Sequence, residues 1–418
     1  MAVEIRNCRL AVGRFSPLEG TAFAGANCRG ESVSFAVLPP FLCAVKEMGV
    51  NIRKQQHNFE RRPSMKIFPL AAYTFSHFAV DYLCFWILFG YFSAGISGTA
   101  AQALGFILYN FIAFGLQMVI GAYCDEHRKF PSSALGCVLV LIAVLLSPFA
   151  PWASLVTTAL GNAFFHVGGG IESLVHSGGK LYRGGVFVSA GAIGVAEGTL
   201  HGSKLAFSNV ISPKVLIDPV LMALFCAVIC YIANKKYPNL EDCDIKNTAS
   251  EKIGIWLVLG LALLSVVIRS FGGTAIPMEW KTTMKLGLVS GFAAFLGKFL
   301  GGFAADLFGA KRTGIISLLA SLPFIIFGSG NMVVSVIGIV LFNITMPITL
   351  GIVAEKLPKN PGIAFGLTTA ALLLGAVPSF FVMISGKIFL LLPAVLVSAA
   401  CIYFSAENKK YILNNKEE

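Results

Sequence analysis

Residues 284–312 read MKLGLVSGFAAFLGKFLGGFAADLFGAKR. From Met284 to Ala305 the segment is apolar apart from Lys285, Ser290 and Lys298. That length of helix crosses a hydrocarbon core of about 30 Å. Asp306 closes the span, Gly309 supplies a turn, and Lys311-Arg312 places a basic pair in the polar layer beyond. The apolar residues run on without the alternation of barrel strands, so the segment reads as a membrane-spanning helix.

The rest of the chain repeats this pattern. It has 418 residues, 56% hydrophobic and 13% charged, with a mean hydropathy of +0.77. A water-soluble domain has no place for so much apolar surface. Spans are expected near 67–92, 101–123, 132–149, 151–172, 184–204 and 213–234, then near 253–272, 284–306, 312–329, 331–354, 363–385 and 387–405. The prediction is an all-α membrane protein of about 12 transmembrane helices in two six-helix halves. The first half covers 65–238, a cytoplasmic linker 239–252, the second half 253–405 and a tail 406–418.

With the N-terminus inside, the interior loops hold Arg128, Lys129, Lys180, Arg183, Lys235, Lys236, Lys246, Lys252, Lys311, Arg312, Lys356 and Lys359. The opposite loops hold only Lys204, Lys214, Lys281, Lys285 and Lys387. This bias predicts a multi-pass cell-membrane protein with both termini cytoplasmic. It also accounts for the net charge of +11 without nucleic acid. Short loops and 35 phenylalanines suit a bacterial inner membrane. A monomer within the bilayer is expected.

Residues 1–64 differ from the rest, with many arginines, no long apolar run and a Pro39-Pro40 break. No signal peptide is legible there, and the segment reads as disordered or weakly structured. Glu60-Arg61-Arg62 is compatible with a purine-rich ribosome-binding string, with Pro63-Ser64 as spacer. On that reading translation starts at Met65 and 1–64 is artefactual; the alternative is a cytoplasmic tail. The ten cysteines show no zinc or disulfide spacing. Neither metal nor cofactor is expected.

An internal repeat supports two halves. Gly121-x-x-x-Asp125 recurs as Gly302-x-x-x-Asp306, an offset of 181 that also maps Asn162 onto Asn343 and Gly194 onto Gly375. Gly302-Phe-Ala-Ala-Asp306-Leu-Phe-Gly309-Ala-Lys311-Arg312 resembles the loop signature of the major facilitator superfamily. Gly302 permits close helix approach, and Asp306 at a helix end suits acceptance from helix N-terminal amides or arginine across the halves. The expectation is a latch between halves in one state of a transport cycle. The copy Gly121, Asp125, Arg128 and Lys129 lacks the second glycine. Ser76-His77-x-x-x-Asp81, Gly161-Asn162-Ala-Phe-Phe165-His166 and Phe187, Gly191, Gly194 and Gly198 are similar to the fosmidomycin-resistance type of efflux protein, except that Thr199 stands where that type has proline. The resemblance covers about 65–405 and implies proton-coupled export of a small organic molecule.

Ionisable groups inside spans are candidate functional residues, because burying a charge in lipid is expensive. Asp81, Glu197 and Arg269 each lie about 20–24 Å into their spans and are expected to share one layer. Asp81 and Glu197 are the proton-carrying candidates, with His77 one turn from Asp81 and His201 one turn from Glu197. Asn110, Gln117, Asn162, His166, Arg269 and Lys298 are candidates for the substrate cavity, the two cations for an anionic group. Proton-coupled uptake of an organic anion is the second reading. An enzyme is disfavoured, since no His-Glu-x-x-His, Gly-x-Ser-x-Gly or phosphate loop occurs. A non-transporting sensor or scaffold lacks an appended domain to speak for it.

Overall fold

The computed structural model describes residues 67–208, 213–237, 254–382 and 388–406. The expectations placed on 1–64, on the linker 239–252 and on the tail beyond Ala406 lie outside the described residues.

Twelve long helices occur among the described residues. They are α1 (Ile67–Gly95), α2 (Thr99–Glu126), α3 (Ser132–Leu146), α4 (Pro151–Val175), α5 (Leu181–Ser208) and α6 (Ile217–Lys236) in the first half. The second half holds α7 (Ile255–Ala275), α8 (Leu286–Phe308), α9 (Ala310–Phe327), α10 (Met332–Lys356), α11 (Pro361–Phe381) and α12 (Ile388–Ser405). Eight of them are long and apolar enough to cross a membrane by themselves. α3 and α12 are apolar but shorter, while α4 and α5 are diluted by glycine and polar residues. Large apolar side chains such as Phe149, Trp256 and Phe327 stand exposed on the outside, where only lipid stabilises them.

Local chemistry sets the helix ends. Pro151 and Pro361 occupy first-turn positions, where a missing N–H has no partner to lose. Asn331 caps α10 by accepting from the amides of Val333 and Val334. Gly309 turns between α8 and α9 with φ +89°, a conformation that glycine adopts without strain. α10 is interrupted at Ile344; Pro347 has no N–H to donate to the carbonyl of Asn343, four residues back. Single wide π turns occupy Leu88–Phe92 in α1 and Phe111–Gly115 in α2.

The two halves repeat one packing plan. α1 packs on α4, α5 and α6, and α3 on α4 and α6; correspondingly α7 packs on α10, α11 and α12, and α9 on α10 and α12. The halves join along two seams, α2 with α11 and α5 with α8. Both seams rest on absent side chains. A Cβ on Gly302 would lie 2.6 Å from the Cα of Tyr182, and one on Gly185 would lie 2.9 Å from the carbonyl oxygen of Lys298. Dispersion and hydrogen bonding hold such seams, since lipid gives helices no hydrophobic reason to associate.

Candidate functional site

Each seam ends in an aspartate. The carboxylate of Asp306, at the end of α8, accepts from the backbone amides of Leu181 and Tyr182 at 3.0 and 2.9 Å. Asp125, at the end of α2, accepts from the amides of Gly362 and Ile363, both at 2.8 Å. Those amides open α5 and α11, where helix N-termini carry partial positive charge and lack intrahelical acceptors. Arg128 adds a bond from its guanidinium to the carbonyl of Lys359 at 2.7 Å. Lys311 lies 3.8 Å from the centre of the Tyr403 ring. The missing second glycine in the first copy leaves these bonds intact.

A polar cluster lies inside the first half. Asp81 on α1 is 7% exposed and receives Asn162 of α4, whose Nδ2 donates to Oδ1 at 3.0 Å. His77 Nε2 stands 3.3 Å from Asp81 Oδ2, and His166 Nε2 stands 3.6 Å from Oδ1. The other nitrogen of each ring faces a backbone carbonyl: His77 Nδ1 lies 2.7 Å from Phe187 O, and His166 Nδ1 lies 2.9 Å from Asn162 O. α5 comes close enough to shape this site because it has no side chain at Gly191 and Gly194; Cβ atoms there would meet His77 and Asp81. Phe165 and Phe187 pack against the His77 ring, and Phe187 in turn meets Phe365 from α11.

The second half contributes a cavity of about 310 Å³. It extends from Lys298, deep in α8, to Met278 beyond the end of α7, on the face opposite the latches. Arg269, Ser270, Ser290 and Asn343 supply further polar lining. Arg269 is 6% exposed and its Nη2 contacts the sulfur of Met346 at 3.0 Å. Among the described residues no carboxylate is in ion-pair contact with Arg269 or Lys298. Lys298 is nonetheless within electrostatic reach of Asp81, His166 and Arg269.

Several sequence expectations change. Glu197 does not share the Asp81 site. It is paired with His201 at 3.5 Å, with the two side chains 32% and 45% exposed. The packing explains this: Gly191 and Gly194 turn the tight face of α5 toward His77 and Asp81, and Glu197 falls beside that face, near Tyr82. Asn162 and His166 are not among the residues lining this cavity; both stand in the Asp81 cluster. Asn110 and Gln117 donate to their own helix at Phe106 O and Ala113 O, and Gln117 is buried against α11. The π turn between them adds a residue to the winding, so a spacing of seven no longer places both on one face. Sequence reading also missed the buried Glu172 and its half-buried partner His176, 3.0 Å apart at the end of α4, whose i, i+4 spacing was the available sign.

No family profile and no curated protein matches the sequence. Solved structures do match. A major facilitator superfamily transporter, FucP, in the outward conformation superposes with a TM-score of 0.58 at 15% identity, over 82% of this chain and 99% of that one. A second structure of that E. coli fucose:proton symporter gives 0.55, also at 15%, over 82% and 100%. A bacterial homologue of the iron transporter ferroportin, in an outward-facing state, gives 0.51 at 14%, over 82% and 98%. The fold is the major facilitator fold. In that fold the two latches lie at the seams between halves, and the Asp81 cluster and the Arg269–Lys298 cavity lie in opposite halves. Resemblance to the fosmidomycin-resistance type has no counterpart among these matches.

Proposed function

We propose that this chain is a secondary active transporter of a small organic anion, working by rocking of its halves about a site between them. One observation carries the reading: Arg269 and Lys298 face a cavity of about 310 Å³, and among the described residues no carboxylate is in ion-pair contact with either. A cation removed from water without a partner is costly, and an arriving carboxylate or phosphonate supplies the partner. The charge bias of the loops assigns the latched face to the cytoplasm, so the cavity opens outward. Asp81, with His77, His166 and Asn162, is the group that takes up the driving cation, in the simplest case a proton. Asp125 and Asp306 hold the cytoplasmic face shut, and release of their bonds accompanies inward opening.

The test is flux in proteoliposomes holding the full chain, with a panel of mono- and dicarboxylates, phosphate esters and phosphonates beside neutral compounds. Saturable flux of an anion is expected, and the sign of its response to an imposed gradient gives the direction of transport. Arg269→Gln and Lys298→Gln are each expected to raise KM by about 10-fold or more, the range for removing one charged hydrogen-bond partner. Flux of neutral compounds alone, indifferent to both substitutions, overturns the anion reading.

A further inference from the structure

We propose that His77, Asp81 and His166 form a binding site for a single divalent transition-metal ion. The inference deepens the cation site proposed above and rests on that site being a cation site, but not on the anion reading.

The tautomers follow from the partners. Backbone carbonyls only accept hydrogen bonds, so the nitrogens facing Phe187 O and Asn162 O carry the ring hydrogens. In each neutral ring the lone pair is then on Nε2, and both Nε2 atoms turn toward the Asp81 carboxylate. Two lone pairs and a carboxylate thus converge, their donor atoms all within 4.8 Å of one another in a nearly closed site. Three acceptors turned on one point repel one another until a positive centre stands among them.

The spacings suit a metal. An ion with bonds of about 2.0–2.2 Å in tetrahedral array sets its donors roughly 3.3–3.6 Å apart. The two His–Asp81 separations are 3.3 Å to Oδ2 and 3.6 Å to Oδ1, and the set as a whole lies within 4.8 Å. Two imidazoles and one carboxylate select first-row transition ions over magnesium and calcium, and leave a position for water or an anion. The surrounding groups are those that orient metal ligands. Each imidazole is held through its far nitrogen, and Asn162 holds the carboxylate. The Oδ1 atom of that same Asn162 is buried and has no donor among the described residues. The opposing charge is Lys298, which reaches both Asp81 and His166 and weakens cation binding.

The experiment titrates the purified, folded full-length chain with Co²⁺, followed by its visible d–d absorption, with Zn²⁺ and Mg²⁺ as competitors. One ion per chain is expected, displaced by Zn²⁺ and not by Mg²⁺. His77→Gln with His166→Gln is expected to abolish the signal, Asn162→Ala to weaken binding by about 10- to 100-fold, and Lys298→Met to tighten it. His127→Ala, at an exposed histidine elsewhere, leaves it unchanged. Absence of saturable binding to the folded wild-type chain overturns the proposal, as does binding that survives the double substitution. Should the double variant not fold, unchanged affinity in Asn162→Ala overturns it, since that variant keeps every donor. Anion flux that persists while metal binding fails removes this inference and leaves the proposed function standing.

Discussion

Asp306 accepts the amide hydrogen of Tyr182 at 2.9 Å across the α5–α8 seam, and the repeat offset of 181 carries this bond onto the other seam. Asp306 minus 181 is Asp125, and Tyr182 plus 181 is Ile363, whose amide donates to Asp125 at 2.8 Å. Leu181 and Gly362 obey the same shift. The duplication thus preserves the partners of the motif as well as the motif.

Asp306→Asn is expected to free the amides of Leu181 and Tyr182 while leaving those of Gly362 and Ile363 protected. Bonds to a charged acceptor contribute about 1.5–3 kcal/mol. Hydrogen exchange at the start of α5 should therefore quicken by about 10- to 100-fold. Asp125→Asn gives the mirror result at α11. Equal acceleration at both seams from either substitution contradicts independent latches.

Gly366 packs so closely on α2 that a Cβ there would meet the backbone of Met118 and lie 2.6 Å from the carbonyl oxygen of Gln117. Gly366→Leu should keep the halves from closing on the latched face and lower flux by about 10-fold or more, as overpacking does to a tight contact. Monodisperse elution in detergent and unchanged helix content by circular dichroism separate loss of closure from loss of fold.

Asp81→Asn removes the charge around which His77, His166 and Asn162 are arranged. Gradient-driven accumulation is expected to disappear, while exchange of substrate for substrate across the membrane continues. That split is read by comparing uptake under an imposed gradient with counterflow in preloaded vesicles. Loss of both to the same extent assigns Asp81 to substrate binding or folding instead.

Glu197→Gln is expected to leave flux within about 2-fold of the parent, in the range of an ordinary surface substitution. The residue is about one-third exposed, at 32%, and paired with His201. A collapse of coupling in this variant returns Glu197 to the driving-cation pathway.

The twelve helices were legible because lipid makes the signal strong: the break at Pro148–Pro151 and the turn at Gly309 mark real ends. The His77–Asp81 pair was legible from i, i+4 spacing, and Arg269 and Lys298 from the cost of charge in a span. Which helices come together is a tertiary fact. His166 and Asn162 joined Asp81 because Gly161 and Gly136 let α3 and α4 close and bring that face of α4 inward. Glu197 misled because depth along a helix says nothing of azimuth. Gln117 misled because a π turn changes azimuth without changing sequence distance.

The shared offset of the latches has an ancestral reading. Each half carries both a carboxylate and a pair of waiting amides, so a half needs nothing from an unlike mate. Two copies of one six-helix unit, related by a two-fold axis along the bilayer normal, would satisfy one another's ends in full. Fusion of two such copies would leave each free to diverge, as the Asp81 cluster of one half and the Arg269–Lys298 cavity of the other have diverged.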